Sequence, residues 1–351
     1  MVASRLVGSR RSVDVAELVE QARAGQPRAV ARLISLVESG GPSAEGAAGA
    51  GSASVLREVA AALAPYGGHA QVVGLTGSPG VGKSTTTSAL VSALRADGKR
   101  VGVLAVDPSS PFSGGALLGD RVRLAEHAGD SGVFIRSMAS RGQLGGLAAA
   151  ASRAVRVLDA AGYDVIIVET VGVGQSEIDI ARLADTTVLL LAPGMGDEIQ
   201  AAKAGVVEIA DVLVVNKADR DGASRTVREL RQMLALAGPP EDGAWSRPIL
   251  RTTASRGEGV DELVATLDRH REWLEHSGER EQRRVARTRA EIEGFFLMRI
   301  RERLAAPDCA HTLTGLAAEV VAGGLDPRRA VEALAEIVSA PTPTTPEDSG
   351  H

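Results

Sequence analysis

The residues Gly77-Ser78-Pro79-Gly80-Val81-Gly82-Lys83-Ser84-Thr85 fit the pattern G-x-x-x-x-G-K-[ST]. Such a run does one kind of chemistry. Its glycines let backbone N–H groups wrap a phosphate chain, and the helix that follows turns its positive end toward the same anion. Lys83 then reaches the β and γ phosphates, Ser84 ligates Mg²⁺, and Thr85 helps to hold the inner phosphates. Carboxylates are needed nearby for the cation and for water, and Asp107, after Val103 to Val106, and Glu169, after Val165 to Val168, stand at the ends of apolar runs. Asp107 can also position an attacking water, and Asp120 is a further candidate ligand. Three residues after Glu169 comes Gly172, in the place where a phosphate-sensing Asp-x-x-Gly is often followed by a water-orienting glutamine. Here Val173 follows, and an apolar side chain cannot orient water, so slow intrinsic hydrolysis aided by a partner or another segment is expected.

A second motif selects the base. Asn216-Lys217-Ala218-Asp219 follows the buried run Val212 to Val215. Guanine offers two N–H donors that one carboxylate, Asp219, accepts together, and adenine has no such pair. Lys217 can lie along the ring, and Asn216 can tie this loop to the phosphate loop. Thr253-Ala254-Ser255, after the next apolar run, is placed to offer a backbone N–H to the guanine carbonyl. GTP and GDP, with Mg²⁺, are therefore the expected ligands.

To bring these groups together the chain needs a sheet whose strands end side by side. Seven apolar runs, at 72–76, 101–106, 133–137, 165–168, 187–191, 212–215 and 249–252, alternate with helical patterns. That alternation predicts an α/β fold of the P-loop NTPase kind, a mostly parallel central sheet flanked by helices with helical N- and C-terminal extensions. The expected division is a helical extension and a Gly/Ala/Ser-rich connector over 1–54, a nucleotide-binding domain over 55–276, a helical arm over 277–339, and a disordered tail over 340–351. Within the arm, Ile292, Phe296, Ile300 and Leu304 recur every four residues as one apolar stripe, followed by a second helical piece from about Thr314 to Val338. Arginines between Arg280 and Arg303 interleave with Glu279, Glu281, Glu291, Glu293 and Glu302, which reads as a solvated helix face with i,i+4 pairs.

The totals set bounds on function. The 39 basic and 44 acidic residues give a net charge of -5, with no overall cationic field for nucleic acid or an anionic membrane. No apolar run is long enough to span a bilayer. Cys309 is the single cysteine, so neither an internal disulfide nor a cysteine metal cluster can form, and the six histidines lack ligand spacing. Arg5, Arg10 and Arg11 precede any acid, yet the start lacks a secretory apolar stretch, and the cytoplasm is the expected compartment.

Several strings are more specific than general P-loop text. They are Gly77 to Thr85, Val106-Asp107-Pro108-Ser109-Ser110-Pro111, Gly114 to Arg121, Ser140 to Leu147, Glu169 to Glu177, and Pro193 to Lys203. On these the chain, from about residue 14 to about 338, resembles the MeaB/ArgK/MMAA family of P-loop GTPases. The resemblance implies a GTPase chaperone of methylmalonyl-CoA mutase or a related adenosylcobalamin-dependent acyl-CoA mutase, guarding cofactor delivery and removal of the inactivated cofactor. It implies a homodimer made through the C-terminal arm. It also implies a mobile switch over Gly194 to Lys203, which makes Asp197, Gln200 and Lys203 candidates, Lys203 for catalysis. Ser78 departs from the proline common in the family, at a position where backbone groups bind the phosphate. Two other readings use the same phosphate loop: a small-molecule kinase, which needs an acceptor pocket, and a metallochaperone GTPase, which needs a metal-binding cluster.

Overall fold

The structure, a computed structural model, describes residues 14–39, 47–107, 125–139, 146–170, 182–194, 206–236, 238 and 243–339. Among them seven strands form one sheet: β1 (Gln71–Thr76), β2 (Val101–Asp107), β3 (Val133–Ala139), β4 (Val165–Thr170), β5 (Thr186–Leu191), β6 (Val212–Val215) and β7 (Ile249–Arg251). Their order is β3-β2-β4-β1-β5-β6-β7, and every pairing is parallel. Each strand matches one of the expected apolar runs within two residues at either end.

The strands are apolar on both faces because both faces are covered. Val72, Leu104, Val106, Ile166 and Val168 point into one core with helices α1 (Val15–Arg23), α2 (Pro27–Ser39), α3 (Ala47–Leu63) and, after β3, α5 (Gly146–Ala160). Val73, Leu75, Val101, Val103, Val165 and Ile167, the alternate positions, meet α4 (Lys83–Ala96) and α8 (Val260–Ser277) on the other face. A short helix, α6 (Val206–Ile209), and α7 (Ala223–Leu236) close a third cluster around Leu189, Leu213 and Val215.

Two expected boundaries differ. Residues 47–54, expected within the connector, are the first half of α3. The N-terminal helices also share a core with the sheet: Val15, Val30, Leu33 and Ile34 are fully buried, each contributing about 1.5–3 kcal/mol, so they belong to the same compact unit. That unit runs on to Arg287, eleven residues past the expected 276.

The extension to Arg287 has a specific cause at the N-terminal edge of the sheet. Asp185 and Asp211 directly precede β5 and β6, and each carboxylate accepts a backbone N–H, from Val72 and Thr187 respectively. Helix α9 (Glu279–Ala305) begins here, and its Arg283 grips Asp211 at 3.0 and 3.1 Å while Arg287 pairs with Asp185. Arg280 and Arg284 donate to the carbonyls of the Gly68–Ala70 turn. These arginines, expected on a solvated face, are structural straps, although Arg283 also keeps its i,i+4 pair with Glu279. Beside them His270, wholly buried, bonds Thr186 Oγ1 through Nδ1 at 2.8 Å and packs against Trp245 and Trp273. Burial pushes its pKa down to about 4, against the opposing pull of the Asp211 carboxylate.

The second unit begins at Thr288 and comprises the rest of α9 with α10 (Pro307–Val321) and α11 (Pro327–Ser339). The expected single helix from 314 to 338 is two. Gly323, at φ +76°, reverses the chain, with its N–H and that of Gly324 closing onto Val320 and Glu319, and Asp326 Oδ1 then caps the next helix. On α9, Ile292 and Phe296 are exposed. The tail from 340 lies outside the described residues.

Candidate functional site

The phosphate loop joins β1, the central strand, to α4, so it opens at the C-terminal edge of the sheet, where ligands of open α/β folds bind. Two glycines are there by necessity. Gly77 has φ +138°, and a Cβ on it would stand 2.2 Å from the Leu190 carbonyl oxygen of β5. A Cβ on Gly82, at φ +99°, would stand 2.4 Å from Asn216 Nδ2. Helix α4 starts at Lys83, so the N–H groups of its first turn point out of the helix into the loop. Lys83 is buried, and its Nζ donates to Gly77 O at 2.5 Å and Ser78 O at 3.0 Å. The ammonium thus lies over the loop itself, beside the N-terminus of α4. Pro79 and Gly80 are exposed, Val81 is buried, and Thr85 is exposed on the first turn of α4.

The register of β1 with β4 pairs Leu75 with Glu169 and so sets this carboxylate next to the loop. Glu169 is buried, and Ser84 Oγ donates to its Oε1 at 2.5 Å. Thr87 Oγ1 donates to Oε2 at 2.6 Å. Asp107 is the last residue of β2, which lies on the other side of β4, and Val106 is in register with Thr170. Asp120, Gly172, Val173, Asp197, Gln200 and Lys203 lie outside the described residues.

Two strands away, β6 delivers the Asn216–Asp219 loop. Asn216 is buried and holds three segments: Nδ2 donates to Val81 O at 2.9 Å, and Oδ1 accepts from Thr252 Oγ1 and from Ala254 N, each at 3.1 Å. Lys217 adopts φ +56°, the one left-handed non-glycine residue among those described, and its Nζ reaches Gly80 O at 2.5 Å. The expected tie between base loop and phosphate loop is therefore made twice, by Asn216 and by Lys217. Asp219 keeps its carboxylate about one-third exposed, 3.6 Å from the Arg256 guanidinium. Thr253 and Ala254 are buried, and Ser255 lines an open cavity of about 470 Å³ with Thr85, Ser88, Ala254, Gly257 and Asp261. That cavity lies between α4 and the 254–261 segment that leads into α8.

The sequence reading missed Thr87 and Arg256. Thr87 sits three residues after Ser84, hence on the same helix face, and that spacing was the available signal. Arg256 directly follows the 253–255 triplet, but only folding turns it toward Asp219.

A Gly-rich G-x-x-x-x-G-K-S loop on the central strand of a parallel sheet, with an acid on the adjacent strand and the Asn216–Asp219 loop tied to it from beyond, is the architecture of a P-loop GTPase. Its ligand is a guanine nucleotide. The chain belongs to the family described as methylmalonyl Co-A mutase-associated GTPase MeaB, whose model matches residues 30–308. A relative from Pyrococcus abyssi, described by name as a GTPase, is 49% identical over 278 residues, 79% of this chain and 82% of that one. The mitochondrial methylmalonic aciduria type A homolog of Mus musculus is 36% identical over 266 residues, 75% of this chain and 64% of its own length. A solved structure described as a LAO/AO transport system kinase superposes with a TM-score of 0.65 at 29% identity, covering 96% of this chain and all of its own.

Proposed function

We propose that this GTPase is a chaperone of methylmalonyl-CoA mutase or a related adenosylcobalamin-dependent acyl-CoA mutase, using GTP hydrolysis to time delivery and release of the mutase's cofactor. The observation that carries this reading is the match to a mutase-associated GTPase family over residues 30–308, which includes the whole nucleotide site. The mouse relative's name, which refers to methylmalonic aciduria, is in keeping with it.

At the site, Mg²⁺ fits the residues present. Ser84 and Glu169 offer hard oxygen donors 2.5 Å apart beside the phosphate loop, and Mg²⁺ takes one or two such protein groups with water and phosphate for the rest. Asp107, and Asp120 beyond it in sequence, are the further acids assigned to the cation or its water. When bound with nucleotide, Mg²⁺ neutralises charge on the β and γ phosphates. Lys83 adds its positive charge there, backbone N–H groups from Gly77 to Thr85 hold the phosphates, and Asp219 with Ala254 reads the base. Gly172 is read as a backbone sensor of the terminal phosphate, and Lys203 as a catalytic group brought in by the Gly194–Lys203 switch. With Val173 after Gly172, intrinsic hydrolysis is slow and rises with the partner.

Exposed Ile292 and Phe296 on α9 support a homodimer formed through the C-terminal arm. No described helix is long and apolar enough to cross a membrane. A cytoplasmic site of action is supported by the single cysteine.

The test is GTP turnover of the full chain with and without candidate acyl-CoA mutases, alongside GTP-dependent co-sedimentation. Stimulated turnover and a nucleotide-sensitive complex are expected, and absence of both overturns the reading. The name of the solved relative favours one other reading, transfer of phosphate to a small molecule. A phosphorylated amino acid accumulating in step with GTP loss would select it.

A further inference from the structure

We propose that Thr87 is a positioning residue that sets the plane of the Glu169 carboxylate and thereby the strength of the divalent-cation site; this rests on the assignment of Ser84 and Glu169 to Mg²⁺. Ser84 and Thr87 stand three residues apart on the first turns of α4, so both hydroxyls face the same element, β4. Each takes a different oxygen of one carboxylate: Ser84 Oγ takes Oε1 at 2.5 Å, and Thr87 Oγ1 takes Oε2 at 2.6 Å.

Thr87 behaves differently from its neighbour. A helical threonine commonly turns its hydroxyl back on the carbonyl four residues earlier, as Thr86 does to Gly82 O at 3.0 Å. Thr87, wholly buried, sends its hydrogen across to Glu169. The consequence follows from the torsions of a glutamate. Its terminal torsion is broad and nearly two-fold, so a carboxylate held at one oxygen can swing about that contact. The backbone of Glu169 is fixed by its register beside Leu75, and the Ser84 bond restrains only one of its two carboxylate oxygens. A second hydroxyl on Oε2 locks it, leaving Oε1 directed at Ser84. A group that must meet both a serine oxygen and a cation, or its bound water, benefits from that locking, because the cost of ordering the carboxylate is met on folding rather than on binding. Thr87 touches neither nucleotide nor cation in this scheme.

The experiment uses the full chain with GDP and Mn²⁺ as the probe, its binding read by electron paramagnetic resonance, for the wild type, Thr87→Val, Thr87→Ser and Glu169→Gln. Valine keeps the shape and removes the hydroxyl, whereas serine keeps the hydroxyl. Loss of one hydrogen bond to a charged group predicts Mn²⁺ binding weakened about tenfold in Thr87→Val, with cation-free GDP affinity within about twofold of wild type. Thr87→Ser is expected to return Mn²⁺ affinity to within about threefold of wild type, a rescue that packing alone does not explain. Wild-type Mn²⁺ binding by Thr87→Val beside weakened binding by Glu169→Gln would overturn the proposal and leave the cation site standing. Equal weakening in Thr87→Val and Thr87→Ser would overturn it as well. Unchanged binding in Glu169→Gln would remove the cation assignment and this proposal together.

Discussion

Asn216 is only 3% exposed, yet its amide is shared by three separate segments, the phosphate loop at Val81, the strand end at Thr252 and the loop at Ala254. Asn216→Ala removes all three bonds at once. It leaves a carbonyl, a hydroxyl and a backbone N–H with their partner gone, in a place where Gly82 packs so closely on the amide that the gap is narrow. At a net value of about 1 kcal/mol for each bond, the loss is roughly 3 kcal/mol. Part of it appears as lower stability without nucleotide, because the bonds already exist there, and part as a less ordered pocket. Urea unfolding of the nucleotide-free chain is expected to show a fall of about 2–3 kcal/mol, and displacement of a fluorescent GDP analogue a loss of at least about tenfold in affinity. Asn216→Asp keeps both acceptor contacts but turns a carboxylate oxygen toward the Val81 carbonyl, so it breaks the phosphate-loop tie while sparing the other two. An Asn216→Ala chain that loses less than about 0.5 kcal/mol and binds GDP within about twofold of wild type would refute the reasoning.

Asp219→Asn exchanges an acceptor pair for an acceptor and a donor. GTP affinity is expected to fall about a hundredfold, while xanthosine triphosphate, with oxygen where guanine has its amino group, gains; competition binding of the two nucleotides checks this. His270 makes stability depend on pH. Burial holds its pKa at about 4 in the folded chain, against 6.5 for a freely solvated imidazole, so the folded state is fully favoured above 6.5 and loses stability as the pH falls from 6.5 to 4. The loss totals about 3 kcal/mol, close to 1.4 kcal/mol for each pH unit in that window. Urea unfolding at several pH values is expected to show this slope in the wild type and its flattening in His270→Asn, whereas an unchanged slope would assign it to other groups.

Much of the fold was legible because the apolar runs that become β1 to β7 must be buried on both faces, and such runs are continuous in the text. The phosphate loop was legible for a related reason: backbone wrapping demands glycines at set positions, and Gly77 and Gly82 each lack room for a Cβ. Less was legible at the C-terminal end. Arg283 and Arg287 read as surface charges, since the sequence does not say that Asp211 and Asp185 will stand opposite them. The Gly323–Gly324 break lies inside a longer helical apolar pattern that continues past it in the sequence.

By itself, then, the sequence determined the kind of ligand and the elements that carry its contacts, because both depend on residue types at short, fixed spacings. The tertiary structure decided which distant residues meet. Strand order sets β4 beside β1, and that order brings Glu169 to Ser84 and Thr87 across more than eighty positions. The same sheet lets Asn216 join segments that lie 135 residues before it and 38 after. Such contacts follow from the packing of the whole sheet, and no local pattern encodes them.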